Sequence, residues 1–136
     1  MTQDSSDLIT QLKAACDNLL WITESEHPFE AFCWQDQTAS DLTDEQLLEL
    51  THHSIDTIVK TVDLDSFFEF VTQSQDWYSD EEIETMKKYQ QLVATLKQHL
   101  THLKVYRLGE IQLDIYIIGQ TPNSHLAGIT TKAVET

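Results

Sequence analysis

The sequence predicts an α+β domain, with helices packed on both faces of a mixed sheet, and three observations predict it. The densest β-branched and aromatic run lies in residues 105–136, where Ile111, Leu113, Ile115 and Ile117 alternate with Gln112, Asp114, Tyr116 and Ile118. That is the period-2 pattern of a strand, and because both phases carry large side chains the strand should be central and covered on both faces. Two capping boxes, Thr43-x-x-Gln46 and Ser79-x-x-Glu82, open helices elsewhere in the chain. Helical and extended patterns then follow one another without a repeat, a low-complexity segment or a linker. The 136 residues therefore read as one domain, 1–136, large enough to bury a core.

Taken in order, Ser5 or Ser6 can cap a first helix whose face is Leu8, Leu12, Ala15, Cys16 and Leu19, running to about Leu20. Pro28 disfavours helix just before it, so 23–27 reads as a loop and 29–34 as a short apolar strand. Residues 35–40 are polar and loop-like, 44–51 helical behind Thr43, and 52–58 without pattern. Residues 59–62 suit a strand and 64–71 a helix. Two aromatics, Trp77 and Tyr78, end an otherwise small and polar loop. The longest helix follows Ser79, with the stripe Ile83, Met86, Tyr89, Val93, Leu96, Leu100 and Leu103. Lys97, His99, His102 and Lys104 crowd its end, where cations complement the helix dipole. Pro122-Asn123-Ser124 marks a turn, and residues 126–135 fold back beside the preceding strand. The last residue, Thr136, follows directly, so its carboxylate is expected to be held by the sheet.

Charge narrows the function. Eight basic residues against 23 acidic ones give −15, a field that repels nucleic acid and anionic membrane and attracts a basic protein or a cation. Cys16 and Cys33 have neither redox-motif nor disulfide-framework spacing and read as buried free thiols of a reducing compartment. The opening MTQDSSDLITQLK lacks the basic start and apolar segment of a secretory leader, and no apolar run reaches the roughly 18 residues of a membrane helix. A soluble, cytoplasmic protein is expected.

Catalytic constellations fail one by one. His99 and His102 could share a helix face, but no third ligand stands near them and a zinc site needs three or four. His52 and His53 adjoin, would diverge, and read as surface. The run Asp63-Leu64-Asp65-Ser66 lacks the glycine and the glutamate of a calcium loop, having Phe68 and Ser74 in their places, so Asp63 reads as a helix cap. Gly109, Gly119 and Gly128 all fall in the terminal run as bends or bulges, which leaves no phosphate-cradling loop. The chain is therefore read as no enzyme. Two loops stay open between a solvated and an interface reading. Glu24 and Glu26 flank Ser25 as loop acids or as an anionic finger. Trp77, beside Asp76, is either a core plug or an interface anchor.

The segments TESEHPFEAFCW, DLDSFFEFVTQSQDWYSDEE, VYRLGEIQLDIYIIGQTP and LAGITTKAVET closely resemble the cyanobacterial nuclease A inhibitor family, nearly end to end and least over residues 35–58. The resemblance implies a three-layer α-β-α sandwich, similar to the pathogenesis-related-protein-like fold. It also implies inhibition of a sugar-non-specific DNA/RNA endonuclease of the ββα-metal class. The family's metal-reaching glutamate falls on Glu24, its interface aspartate and tryptophan on Asp76 and Trp77, and its C-terminal threonine on Thr136.

Such a nuclease must grip phosphate with Lys and Arg and hold a hard divalent cation at the scissile bond. An inhibitor should then resemble phosphate, with Glu24 reaching the partner's Mg²⁺ and Trp77 as apolar anchor. Asp76 and the Thr136 carboxylate, ionised at neutral pH, would pair with arginines. No cofactor of its own and no direct nucleic acid contact are expected, and the protein should be a monomer when free and half of a 1:1 heterodimer when bound. The alternative is an acidic adaptor, or a nucleic-acid mimic for a different basic protein.

Overall fold

The computed structural model describes residues 5–17, 19–22, 24–34, 43–73, 76–122 and 125–134. Its elements, in chain order, are α1 (Ser5–Cys16), β1 (Leu20–Ile22), β2 (Glu26–Pro28), β3 (Glu30–Trp34), α2 (Asp44–Leu50), β4 (Val59–Val62), α3 (Leu64–Thr72), α4 (Asp80–His99), β5 (Thr101–Leu108), β6 (Gln112–Gln120) and β7 (Leu126–Val134). β1 and β2 form a hairpin; the other five strands form one sheet in the order β3-β7-β6-β5-β4, which puts β6 at its centre. Every pairing is antiparallel rather than mixed. Between β4 and β5 the chain makes two helical passes, which return it to the end it left, so β5 runs back against β4.

The alternation along the strands sends two sets of side chains to opposite faces. Val105, Leu113, Ile115, Ile117 and Ile129 pack with Leu8 and Leu12 of α1, Phe68 of α3 and Leu92 and Leu96 of α4. On the other face, Leu47 and Leu48 of α2 cover Leu108, Ile118 and Leu126, with Phe32, Trp34, Tyr106 and Tyr116 around them. The result is helix, sheet, helix, the layering of an α+β sandwich.

Caps fix the helices. Ser79 Oγ accepts from the Glu82 N–H, and Glu82 Oε1 accepts from the Ser79 N–H, both at 3.3 Å. Thr43 Oγ1 accepts from the Gln46 N–H at 3.1 Å, and Asp63 Oδ2 from the Ser66 N–H at 3.2 Å. Gly109 has φ 115° in the β5–β6 turn, where a side chain would be strained, and a Cβ on Gly128 would lie 1.7 Å from the Ile117 carbonyl oxygen.

The structure corrects four local readings. α1 stops at Cys16 instead of Leu20, and residues 20–22 and 26–28, in the stretch expected as helix end and loop, pair as the β1–β2 hairpin. Trp21 accounts for the change: its ring lies 4.4 Å from Phe67 in a stack and meets Phe29, Phe68 and Tyr89 edge-on, so tertiary packing outweighs the helical spacing. α4 ends at His99; Leu100 caps it, Leu103 belongs to β5, and the stripe gains the fully buried Leu92. His102 therefore shares no helix with His99; it has φ 54° where the β5 register slips between Thr101 and Lys104. Fourth, His53 is half-buried, its ring linking Thr51 Oγ1 to Asp114 Oδ2 at 2.6 Å on each side, which ties the exit of α2 to the central strand. The readings for residues 35–40 and for Asn123-Ser124 lie outside the described residues, but Thr121 N–H donating to the His125 carbonyl at 2.8 Å closes the β6–β7 connection around the latter.

Candidate protein-binding surface

Strand directions select one end of the sheet. β5 finishes there at Leu108, β6 starts at Gln112, β4 starts at Val59, and β7 finishes at Val134, which pairs with Gln112. The tip of the β1–β2 hairpin joins them, because the Glu24 N–H donates to the Val134 carbonyl at 3.4 Å. The α3–α4 turn points to the same end. Lys97 holds Asp65 at 2.7 Å and Gln90 Nε2 donates to the Thr72 carbonyl at 2.8 Å, so the two helices run antiparallel. The start of α3 and the end of α4 flank the far end, where β5 begins opposite Gln120; the turn between them faces the near one.

Glu24 is exposed on a tip held from three sides. Thr131 Oγ1 donates to the Pro28 carbonyl at 3.0 Å, fastening β2 to β7. The Tyr89 hydroxyl donates to the Leu20 carbonyl, fastening β1 to α4. Trp21 supplies the apolar contact between them. Burial beside the Cys16 thiol pushes the Tyr89 hydroxyl up to about 12, and burial pushes Cys16 itself up to about 12, so both keep their protons near neutral pH and the thiolate form of Cys16 is disfavoured.

Asp76 and Trp77 stand together on the α3–α4 turn, both exposed. Trp77 has 75% of its surface in solvent, which excludes the core-plug reading; its one ring contact among those described is edge-to-face with Tyr78, at 6.4 Å. Tyr78 is half-buried and borders a hollow of about 330 Å³ with Val71, Met86 and Tyr89 at its base and Glu81 and Glu82 at its lip. Thr136 lies outside the described residues; it follows by two positions Val134, the acceptor of the Glu24 N–H. The backbone thus brings the loops of Glu24, Asp76 and Trp77 to one end of the sheet.

Sequence reasoning passed over Ile55, Ile58 and Ile111, which are exposed at that same end. Ile111 was counted in the β6 alternation, but it precedes the first paired residue; the signal that could have found it is Gly109-Glu110 just before it, a turn that lifts Ile111 out of the strand. Among the described residues, no three His, Cys, Asp or Glu side chains gather as a metal site, and no helix is long and apolar enough to cross a membrane.

Residues 6–136 match the family model described as nuclease A inhibitor-like protein, a match that covers nearly the whole chain. No curated protein matches it.

Proposed function

Because this chain belongs to the nuclease A inhibitor-like family, we propose that it blocks a sugar-non-specific, Mg²⁺-dependent DNA/RNA endonuclease in a 1:1 complex, by occupying the place of the substrate phosphate. The observation that carries the proposal is an exposed carboxylate, Glu24, on a hairpin tip pinned to β7 and α4. A cation that serves phosphoryl chemistry takes hard oxygen ligands and is held through one or two carboxylates plus the phosphate oxygens of substrate. A single projecting carboxylate fits a position that phosphate would fill. Asp76, and a carboxylate at Thr136, offer further anions to the arginines and lysines that grip a polynucleotide. Trp77 offers the large apolar surface that dominates protein interfaces once desolvated. The cation belongs to the nuclease, and no step needs one held by this chain. The net charge of −15 speeds encounter with a basic enzyme and makes the rate fall with salt.

The experiment is plasmid and RNA degradation by a Mg²⁺-dependent non-specific endonuclease of the same organism, titrated with this protein. Cutting of both substrates should stop near one equivalent. Undiminished cutting at large excess would sink the proposal.

A further inference from the structure

We infer that the surface docking the nuclease extends from Glu24 and Trp77 to an apolar patch formed by Ile55, Ile58 and Ile111. The inference rests on the inhibitor reading and adds three contact residues to it.

Among the described residues, the large apolar side chains left exposed are Leu20, Ile55 (71%), Ile58 (41%), Trp77 and Ile111 (56%). All but Leu20 lie in or beside the loops of one sheet end, on a chain of net charge −15 that has little other reason to gather apolar surface there. Interfaces are built in this way, with apolar side chains at the middle and charge at the rim. The segments that carry these side chains are joined: Gly109 N–H donates to the Ile58 carbonyl at 2.9 Å, which binds the β5–β6 turn next to Ile111 to the loop carrying Ile55 and Ile58.

The patch is also continuous with Glu24. Ile111 precedes Gln112, Gln112 pairs with Val134, and Val134 accepts the Glu24 N–H. One residue step, one strand spacing and one hydrogen bond put Ile111 within roughly 15 Å of Glu24 along the backbone. A standard interface covers about 800 Å² of each partner, a disc of about 32 Å across, so a single interface can hold both Ile111 and Glu24, with Glu24 toward its rim. Between them lies a hollow of about 520 Å³ bordered by His27, Val134, Gln112, Gly109 and His53.

The nuclease is a better occupant than a second copy. Two copies would bring −15 against −15, whereas a polynucleotide-gripping enzyme is basic at the groove Glu24 would enter. Lys60 stands on the edge strand β4 two residues from Ile58, where a lysine disfavours pairing of one sheet edge with another.

The test measures inhibition of the same endonuclease by Ile55→Ser, Ile58→Ser, Ile111→Ser and the triple variant. Each single change should raise the inhibition constant about tenfold, with unaltered urea midpoint and far-ultraviolet circular dichroism because these side chains are exposed. The salt dependence should keep the wild-type slope, since no charge is removed. Triple-variant inhibition equal to wild type overturns the inference and leaves the inhibitor reading standing. A wild-type protein that does not inhibit overturns the reading and the inference together. A concentration-dependent dimer, lost in the triple variant while inhibition persists, assigns the patch to a second copy and overturns the inference as well.

Discussion

Trp21, on strand β1 of the hairpin that carries Glu24, and Trp77, on the turn that carries Asp76, have opposite surroundings. Trp21 is half-buried and packs against Phe29, Phe67, Phe68 and Tyr89; Trp77 touches Tyr78 and has 75% of its surface in solvent. One indole holds a hairpin in place, and the other is offered from a helix-to-helix turn. The difference teaches how a small acidic protein can present a carboxylate at little entropic cost. The apolar cluster under the Glu24 hairpin orders the loop before any partner arrives, so ordering is not charged against the association. Apolar surface left above can then be desolvated by the partner.

The largest break in that comparison should come from Trp21→Ala. It removes a stack and three edge contacts from the junction of β1, α3 and α4, and a loss of about 3–5 kcal/mol in unfolding free energy is expected from urea curves. Inhibition should fall as well, because Glu24 loses its support. A loss below about 1 kcal/mol would mean that the backbone bonds at Leu20, Pro28 and Glu24 hold the hairpin without the indole.

Next is Glu24→Gln, which keeps the shape and removes the charge. If the carboxylate is desolvated in the complex, binding should weaken by about 2–5 kcal/mol, read as the inhibition constant, while the unfolding free energy from urea curves changes by no more than about 0.5 kcal/mol. Trp77→Ala should follow, with about 2 kcal/mol lost in binding and the same unchanged stability. Equal effects of Trp21→Ala and Trp77→Ala on stability would erase the distinction between support and offered surface.

How much of this was legible in the sequence follows from which forces act locally. The capping box at Ser79, the N-cap at Thr43 (without the return bond from Gln46), the alternation of Leu113, Ile115 and Ile117, and the α3 and β4 segments all announce themselves, because each depends on neighbours within a few residues. The β1–β2 hairpin did not: Leu20, Trp21 and Ile22 follow directly on the helical spacing of α1, and the rings that hold Trp21 in a strand include Phe67, Phe68 and Tyr89, more than forty positions away. His53 was misread for the same reason, since its partner Asp114 is 61 residues distant. At the candidate surface, Glu24 and Trp77 stood out as residue types in unusual loops, but their common end of the sheet depends on strand directions that composition does not encode. Ile111 was hidden by a pattern it seemed to extend, one residue before the pairing starts.

The effect that is smallest at neutral pH appears in alkali; around Trp21 it acts through Tyr89 and Cys16, and burial also raises the hydroxyls of Tyr106 and Tyr116 on the other face of the sheet. Tyr89 and Cys16 are buried together, and burial raises both acids, Cys16 from 9.0 to about 12 and Tyr89 from 10.0 to about 12. A group that holds its proton more tightly when folded contributes its full stability below the unfolded value and loses it as pH rises through the folded one. Stability should therefore be level below pH 9 and decline between pH 9 and 12 as the unfolded chain releases these two protons first. Ionised Tyr89 has no hydroxyl proton to give the Leu20 carbonyl, so the hairpin of the folded protein should loosen only at the top of this range, where the buried hydroxyl itself ionises, at about 12. Tyr89→Phe deletes that bond, at about 1 kcal/mol near neutral pH, and should flatten the part of the decline above pH 10. Cys16→Ala should flatten the part that starts at 9. Urea midpoints at intervals from pH 8 to 11 separate the two, and identical slopes in wild type and both variants would show that neither buried proton is linked to the fold. Trp77, with solvent on most of its surface, should keep its accessibility to a neutral fluorescence quencher throughout, so the indole whose exposure changes with alkali is Trp21.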